Sequence, residues 1–351
     1  MKLAITGGGT GGHIFPALEV GRFAAESRGV ELTYLGSHRG MERAACESRG
    51  IPFVAVNGQP LWSLKSVAGW RSLVALLRAS GEATRHLRQN PPDRLFSTGG
   101  YSAAAWLFAA RRNRVPYVVH EANSVPGRTT RMFARGALGY TYVFRATTPL
   151  APANAVRTGQ PIRPELRAAA SAVGLASGNH VLVMGGSQGA VRVNQAVVAA
   201  AADDSNLRFT IAAGRQHADA LRADAPANVD VRDFIDAPEL ADLYRSSRLF
   251  IGRSGGTLAE VAAFRLPSVL IPLPSSADDH QGVNAREFAG FGAAIEVPQR
   301  SLEVGGLARG IRRALDLDPA LVAASLADWD MPRATSAILG IIEGTSDANP
   351  R

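Results

Sequence analysis

Three short glycine-rich turns carry the residue types best able to handle a phosphate and a proton. Residues 7–12 read Gly-Gly-Gly-Thr-Gly-Gly and run straight into His13. Glycines let the backbone turn tightly and approach a phosphate, while the helix N-terminus that follows offers N–H groups and partial positive charge. Imidazole is the side chain best suited to accept a proton near neutral pH, which makes His13 the candidate general base. A lone histidine is more often structural; its place after a glycine turn at the carboxyl end of a strand favours a functional role. The second turn, Gly185-Gly186-Ser187-Gln188-Gly189, puts Ser187, Gln188 and the loop amides where a diphosphate could sit. The third, Thr98-Gly99-Gly100-Tyr101, is less diagnostic alone.

The first turn contains the G-x-G-x-x-G spacing of dinucleotide-binding proteins, a weak signal by itself. That reading needs an acidic residue at the end of the second strand. Here the segment is Tyr34-Leu35-Gly36-Ser37-His38-Arg39, with no carboxylate, so only an NADP-dependent reductase remains as an alternative of that kind. A Walker A loop is excluded, because no Lys-Ser/Thr pair follows the glycines.

The elements that must position these turns follow from periodicity. Strand-like runs at 2–6, 30–35, 52–56, 94–97 and 117–120 alternate with helical spacing at 16–27, 41–48, 67–87 and 103–110. Residues 7–12 are expected to lie outside regular structure. This rhythm predicts a parallel sheet covered by helices on both faces. Residues 146–165 interrupt it with Pro149, Pro152, Pro161 and Pro164 and predict an interdomain linker. A second set follows, with strands at 180–184, 207–212, 230–232, 248–252, 268–272 and 294–297 and helices between and after them. The expected fold class is α/β, with two Rossmann-like, doubly wound domains facing a deep cleft. Their expected extents are residues 1–160 and 161–332, with a helical segment at 333–351 returning to the N-terminal domain.

Composition sets the outer limits. A chain of 351 residues with 46% apolar and 19% charged residues suits two folded domains. The single cysteine, Cys46, excludes a disulfide framework and reads as a packing residue. No apolar run is long enough to span a bilayer. Charge is uneven: residues 1–163 hold 21 Lys and Arg against 8 Asp and Glu, a net of +13, whereas residues 164–351 hold 17 against 22, a net of −5. A basic half suits phosphate-rich partners. Within it, Trp62, Leu64, Trp70, Leu73 and Leu77 are interleaved with Arg71 and Arg78, the pattern either of a peripheral helix on anionic lipid or of a helix packed on the sheet with a solvated basic face. No nucleic-acid-binding module is recognisable, and nucleic acid is not an expected partner.

Several strings resemble one family in order and spacing. MKLAITGGGTGGHIFPALEV, STGGYS, HEANSVPG, TGQPIRPE, VMGGSQGA, FID, RSGGTLAEVAAFRLPSVLIPLP and DDHQGVNA together look like the MurG family of GT-B transferases, glycosyltransferase family 28. The resemblance implies a C-terminal domain that binds UDP-N-acetylglucosamine and an N-terminal domain that takes lipid I, the undecaprenyl-pyrophosphoryl-muramyl-pentapeptide. It implies inverting transfer to the muramyl 4-hydroxyl, no metal or other cofactor, a peripheral position on the cytoplasmic side of the cell membrane, and other cell-wall synthesis proteins as further candidate partners. By the same match, Thr10, Gly11, Gly12, Asn123, Arg163, Ser187, Gln188, Ile235, Glu260, His280 and Gln281 are expected at the donor. Gly9, Thr10, Gly99, Gly100 and Tyr101 are expected at the acceptor or its diphosphate. Another GT-B transferase acting on a glycolipid, and a non-catalytic nucleotide-binding protein, are the remaining alternatives. The chain departs from the family's usual pattern at Ala122 and Thr130 and in the shortened RSGGTLAE segment.

Overall fold

The computed structural model describes residues 1–59, 66–185 and 190–345. The chain forms two compact units: Met1–Pro161 together with Arg333–Arg351, and Ile162–Pro332.

The first unit is built on seven parallel strands: β1 (Lys2–Thr6), β2 (Glu31–Ser37), β3 (Phe53–Val56), β4 (Arg94–Ser97), β5 (Tyr117–Glu121), β6 (Gly139–Tyr142) and β7 (Ala155–Arg157). Their spatial order is β3-β2-β1-β4-β5-β6-β7. Helices α1 (Gly11–Arg28), α2 (Glu42–Glu47), α3 (Val67–Gln89), α4 (Tyr101–Asn113) and α5 (Arg128–Ala134) provide the crossovers. Strands covered on both faces need apolar residues on both, and β1 shows it. Leu3 and Ile5 join a core with Ile14 and Leu18 of α1, while Ala4 faces the core of Trp106 and Phe133. Trp106 is wholly buried and spends its indole N–H on the Gly36 carbonyl at 2.9 Å. Cys46 is also wholly buried, and burial pushes its thiol up to about 12, so it packs rather than reacts.

The second unit repeats the plan with α6 (Pro164–Ala170), β8 (His180–Met184), α7 (Val191–Ala202), β9 (Arg208–Ala212), α8 (Ala218–Asp224), β10 (Val229–Arg232), α9 (Ala237–Ser246), β11 (Ser247–Gly252), α10 (Leu258–Ala263), β12 (Ser268–Leu270), α11 (His280–Gly290), β13 (Ala294–Glu296), α12 (Gly306–Leu315) and α13 (Pro319–Trp329). Its six-stranded sheet runs β10-β9-β8-β11-β12-β13. In each sheet the strand order reverses beside the first strand of the unit, between β1 and β4 and between β8 and β11. Ligands of open α/β sheets bind at such a point, beyond the carboxyl ends of the strands.

Two expectations need correction. The proline-rich stretch 146–165 is not simply a linker. Residues 155–157 pair with β6 as the edge strand β7, with Tyr140 opposite Ala155, and the chain passes from one unit to the next at Pro161/Ile162, inside that stretch. The strand fits between the prolines: Pro152 precedes it and Pro161 follows it, so none of its three residues lacks a backbone N–H. Nor is all of 7–12 irregular, because α1 begins at Gly11. This puts His13 inside its first turn.

The last helix, α14 (Ala334–Glu343), belongs to the first unit. Ile338, Leu339 and Ile342 are buried in the core under α1, and Arg94 Nε donates to the Ile342 carbonyl at 3.1 Å. Ile338 is fully buried. Ile338→Ala is expected to destabilise the first unit by about 2–5 kcal/mol, the range for truncating a buried aliphatic side chain, measured by urea unfolding.

Candidate active site

In the first unit, the turns after β1 and β4 meet backbone to backbone. The Gly8 N–H donates to the Gly99 carbonyl at 3.3 Å. A Cβ on Gly100, whose φ is +82°, would lie 2.0 Å from the Gly8 carbonyl oxygen, so no other residue fits there without moving the loop. Beneath lies Glu42, fully buried at the start of α2, whose Oε1 accepts the Gly9 N–H at 3.3 Å. Burial raises its pKa. Tyr101, at the start of α4, closes over Gly9.

His13 is fixed by this crossing. Its Nδ1 lies 2.8 Å from the Thr98 carbonyl oxygen, and the Thr98 hydroxyl donates back to the His13 carbonyl at 2.6 Å. A carbonyl can only accept, so Nδ1 carries the hydrogen and the basic lone pair of the neutral ring is on Nε2. Thr10 caps α1 in an extended conformation without a side-chain cap bond. Gly12 is exposed on the first turn, and Gly11 is buried.

The HEANSVPG segment is organised by a residue that sequence reasoning missed. Glu121 is buried, and its Oε1 accepts from the Asn123 backbone N–H at 2.9 Å and from Asn123 Nδ2 at 3.4 Å. Its Oε2 accepts from the Gly127 N–H at 2.9 Å and from the Thr130 hydroxyl. Thr130, one of the departures from the family pattern, thus ties the loop to its carboxylate. Burial raises the Glu121 pKa against these bonds. Next to it, His120 is fully buried between Thr141 Oγ1 at 2.8 Å and Gln160 Oε1 at 3.3 Å. Desolvation pushes it down to about 4, so it stays neutral at pH 7.

In the second unit, Glu260 on α10 is held on both oxygens. Tyr244 Oη donates to Oε2 at 2.9 Å, and Arg163 Nη2 approaches Oε1 at 3.4 Å. Arg253, at the carboxyl end of β11, donates to the carbonyls of Ile271 at 2.9 Å and Pro272 at 3.2 Å and to Gln299 Oε1 at 2.7 Å. Burial lowers its pKa, but a guanidinium stays charged at neutral pH, and among the described residues no carboxylate pairs with it. Ile235 is buried immediately before Asp236, which caps α9 by accepting the Glu239 N–H at 2.9 Å, while Phe234 is 68% exposed. Gln281 Oε1 accepts the Leu273 N–H at 3.0 Å, and the Ser254 hydroxyl donates to the Gln281 carbonyl at 2.7 Å. His280 Nδ1 lies 2.7 Å from the Ala277 carbonyl oxygen. Asp278 and Asp279 just before it have φ of +51° and +53°, a costly backbone for two consecutive non-glycine residues.

Comparison with known proteins identifies the lineage. The N-terminal domain model of glycosyltransferase family 28 matches residues 3–140, and its C-terminal domain model matches residues 180–330. The chain belongs to glycosyltransferase family 28. A family 28 relative from Lacticaseibacillus casei is 35% identical over 86% of this chain and 87% of its own length. One from Moorella thermoacetica is 35% identical over 99% of this chain and 100% of its own. Both are named UDP-N-acetylglucosamine–N-acetylmuramyl-(pentapeptide) pyrophosphoryl-undecaprenol N-acetylglucosamine transferase. The crystal structure of Acinetobacter baumannii MurG superposes with a TM-score of 0.76 at 26% identity, covering 98% of this chain and 99% of that one. The family assignment sets aside the reductase alternative.

Against the family 28 expectations, the structure brings Gly9, Thr10, His13, Gly99, Gly100 and Tyr101 together at the β1/β4 switch. Arg163 and Glu260 meet in the second unit. Asn123 is turned to its own loop through Glu121. Ser187 and Gln188 lie outside the described residues, as do Trp62 and Leu64. Sequence reasoning missed Glu42, His120, Glu121, Tyr244 and Arg253. The glutamates and His120 stood in quoted or helical segments, but nothing local marked them as buried and partnered.

His120 makes the first unit acid-sensitive. Its folded value, about 4, lies below the ordinary histidine value, so the unfolded chain binds the proton first. This contribution is intact above about pH 6.5 and is lost as the pH falls toward 4, a change of about 3 kcal/mol. The raised Glu121 acts in the opposite sense, so the informative quantity is a difference. The stability gap between wild type and His120→Asn, from urea unfolding at several pH values, is expected to narrow across that window. A constant gap would count against a neutral buried His120.

Proposed function

We propose that this chain transfers N-acetylglucosamine from UDP-N-acetylglucosamine to the muramyl 4-hydroxyl of lipid I, with inversion, giving lipid II. The observation that carries the catalytic part is the hydrogen bond from His13 Nδ1 to the Thr98 carbonyl, which puts the basic lone pair on Nε2. In this reading, Nε2 takes the proton of the 4-hydroxyl. The oxygen attacks the anomeric carbon from the face opposite the diphosphate, the bond from that carbon to the diphosphate oxygen breaks, and UDP leaves with the electron pair. The relatives' names, the glycine turn at the β1/β4 switch and the paired Glu260 support it.

The roles divide between the units. Gly9, Thr10, Gly99, Gly100 and Tyr101 receive the acceptor and its diphosphate. In the donor unit Glu260 takes the ribose, Ile235 the uracil through its backbone, and Gln281 with His280 the sugar hydroxyls. Arg163 and Arg253 offset the charge of the leaving diphosphate, and Ser187 and Gln188 donate hydrogen bonds to it. General-base catalysis contributes roughly 10²–10⁴-fold. His13→Ala is therefore expected to lower kcat by at least about tenfold while thermal-shift titration shows UDP-N-acetylglucosamine still bound. Near-wild-type turnover would remove His13 from the role of base.

The acceptor is a lipid, and the first unit carries a surface suited to meet it. Helix α3 buries Leu76, Ala79, Ala83 and Leu87 yet leaves Trp70, Val74 and Leu77 exposed, with Arg71 and Arg78 beside them and Leu73 half-buried. Trp70, Arg71, Val74 and Arg78 also line a cavity of about 620 Å³ with Asn57 and Glu82. Apolar and aromatic side chains flanked by arginines suit the surface of an anionic bilayer, here the cytoplasmic face of the cell membrane. Among the described residues no helix is long and apolar enough to cross it. Trp70→Ser combined with Leu77→Ser is expected to weaken binding to anionic vesicles by about tenfold or more in a sedimentation assay. Equal binding of the wild type to neutral and anionic vesicles would sink the electrostatic part.

A further inference from the structure

Tyr244 is wholly buried on α9, with its ring stacked 4.8 Å from Phe264 and 6.4 Å from Phe250. A phenylalanine would satisfy that stack equally well. The hydroxyl is therefore the part that needs a reason. It donates to Glu260 Oε2 at 2.9 Å and lies 3.5 Å from Sδ of Met184, the last residue of β8. Burial, with the neighbouring carboxylate, holds its pKa well above the ordinary tyrosine value, so it is a permanent donor. A neutral donor aimed at a carboxylate from the dry side makes a strong, short-range constraint.

Glu260 has little else behind it. Arg163 approaches the other oxygen at 3.4 Å from a partly exposed position, and the carboxylate itself is 15% exposed. An ionised carboxylate offers about four lone-pair sites. With one on each oxygen committed to the protein, one on each remains. That is the pattern needed to accept from two adjacent hydroxyls.

We propose that Tyr244 is a positioning residue for donor binding: through its hydroxyl it fixes the Glu260 carboxylate so that both oxygens face the vicinal diol of the nucleotide ribose. This rests on the reading of Glu260 as the ribose-binding acid. The specificity that follows is for a ribonucleoside diphosphate over its 2′-deoxy form. The missing hydroxyl would leave one carboxylate oxygen without a ligand donor.

The test is calorimetric titration of UDP and 2′-deoxy-UDP into the full-length wild type, Tyr244→Phe, Glu260→Gln and the double variant. Wild type is expected to prefer UDP. Tyr244→Phe should weaken UDP by about tenfold and 2′-deoxy-UDP by clearly less, collapsing the preference. The double variant should be no weaker than Glu260→Gln alone, because both changes remove one interaction. In turnover assays Tyr244→Phe should raise KM for the donor while kcat at saturation stays within about twofold. A merely structural role would weaken both nucleotides equally or add to Glu260→Gln, and either result overturns the proposal. If Glu260→Gln loses the preference and Tyr244→Phe keeps it, the positioning role fails and the reading of Glu260 stands. If Glu260→Gln keeps the preference, that reading fails and the proposal falls with it.

Discussion

The first unit depends on one close approach: the glycine turns that follow β1 and β4 touch through their backbones, with the Gly8 N–H on the Gly99 carbonyl and no room for a side chain at Gly100. The two strands are neighbours at the point where the sheet reverses its order, so their carboxyl-terminal turns are forced together. Any Cβ between them would separate the turns. Separation would break the pair of hydrogen bonds between Thr98 and His13, and with them the ring orientation and the tautomer. The orientation and tautomer of His13 are thus a consequence of sheet topology as much as of the residue itself.

Behind the turns lies a layer of buried polar groups. Glu42 holds Gly9, Glu121 holds the segment from Asn123 to Thr130, and His120 bridges Thr141 and Gln160. Buried groups of this kind are costly unless partnered, and each draws its cost from the core that encloses it. What they provide is rigidity: the loops are braced from within. The second unit follows the same logic, with Tyr244 behind Glu260 and backbone carbonyls around Arg253. Charge is uneven along the chain, with a net of +13 over residues 1–163 and −5 over residues 164–351.

Much of this was legible in the sequence because it is local. The period-2 and period-3.6 patterns located most strands and helices but not α5, β6, β7 or α6, and the glycine turns marked the carboxyl ends of β1, β4 and β8. The family strings pointed to a glycosyltransferase, and His13 stood out because glycines on its N-terminal side leave few other roles for it. The proline-rich stretch misled for a local reason as well: three residues of edge strand, 155–157, are too short to show a period, and only their pairing with β6 reveals them.

Tertiary structure decided what depends on partners distant in the chain. The His13 tautomer is set by a carbonyl 85 residues away, and Glu260 is anchored by Arg163, 97 residues away. The docking of α14 under α1, and the exposure of Trp70 and Leu77 on a helix whose opposite side is core, belong to the same class. By itself the sequence determined the elements, the phosphate-type turns and the family, since each is written in spacing along the chain. Which polar atoms face one another, and hence which are donors, acceptors or bases, is fixed only when the strand order brings separate turns to one edge of the sheet.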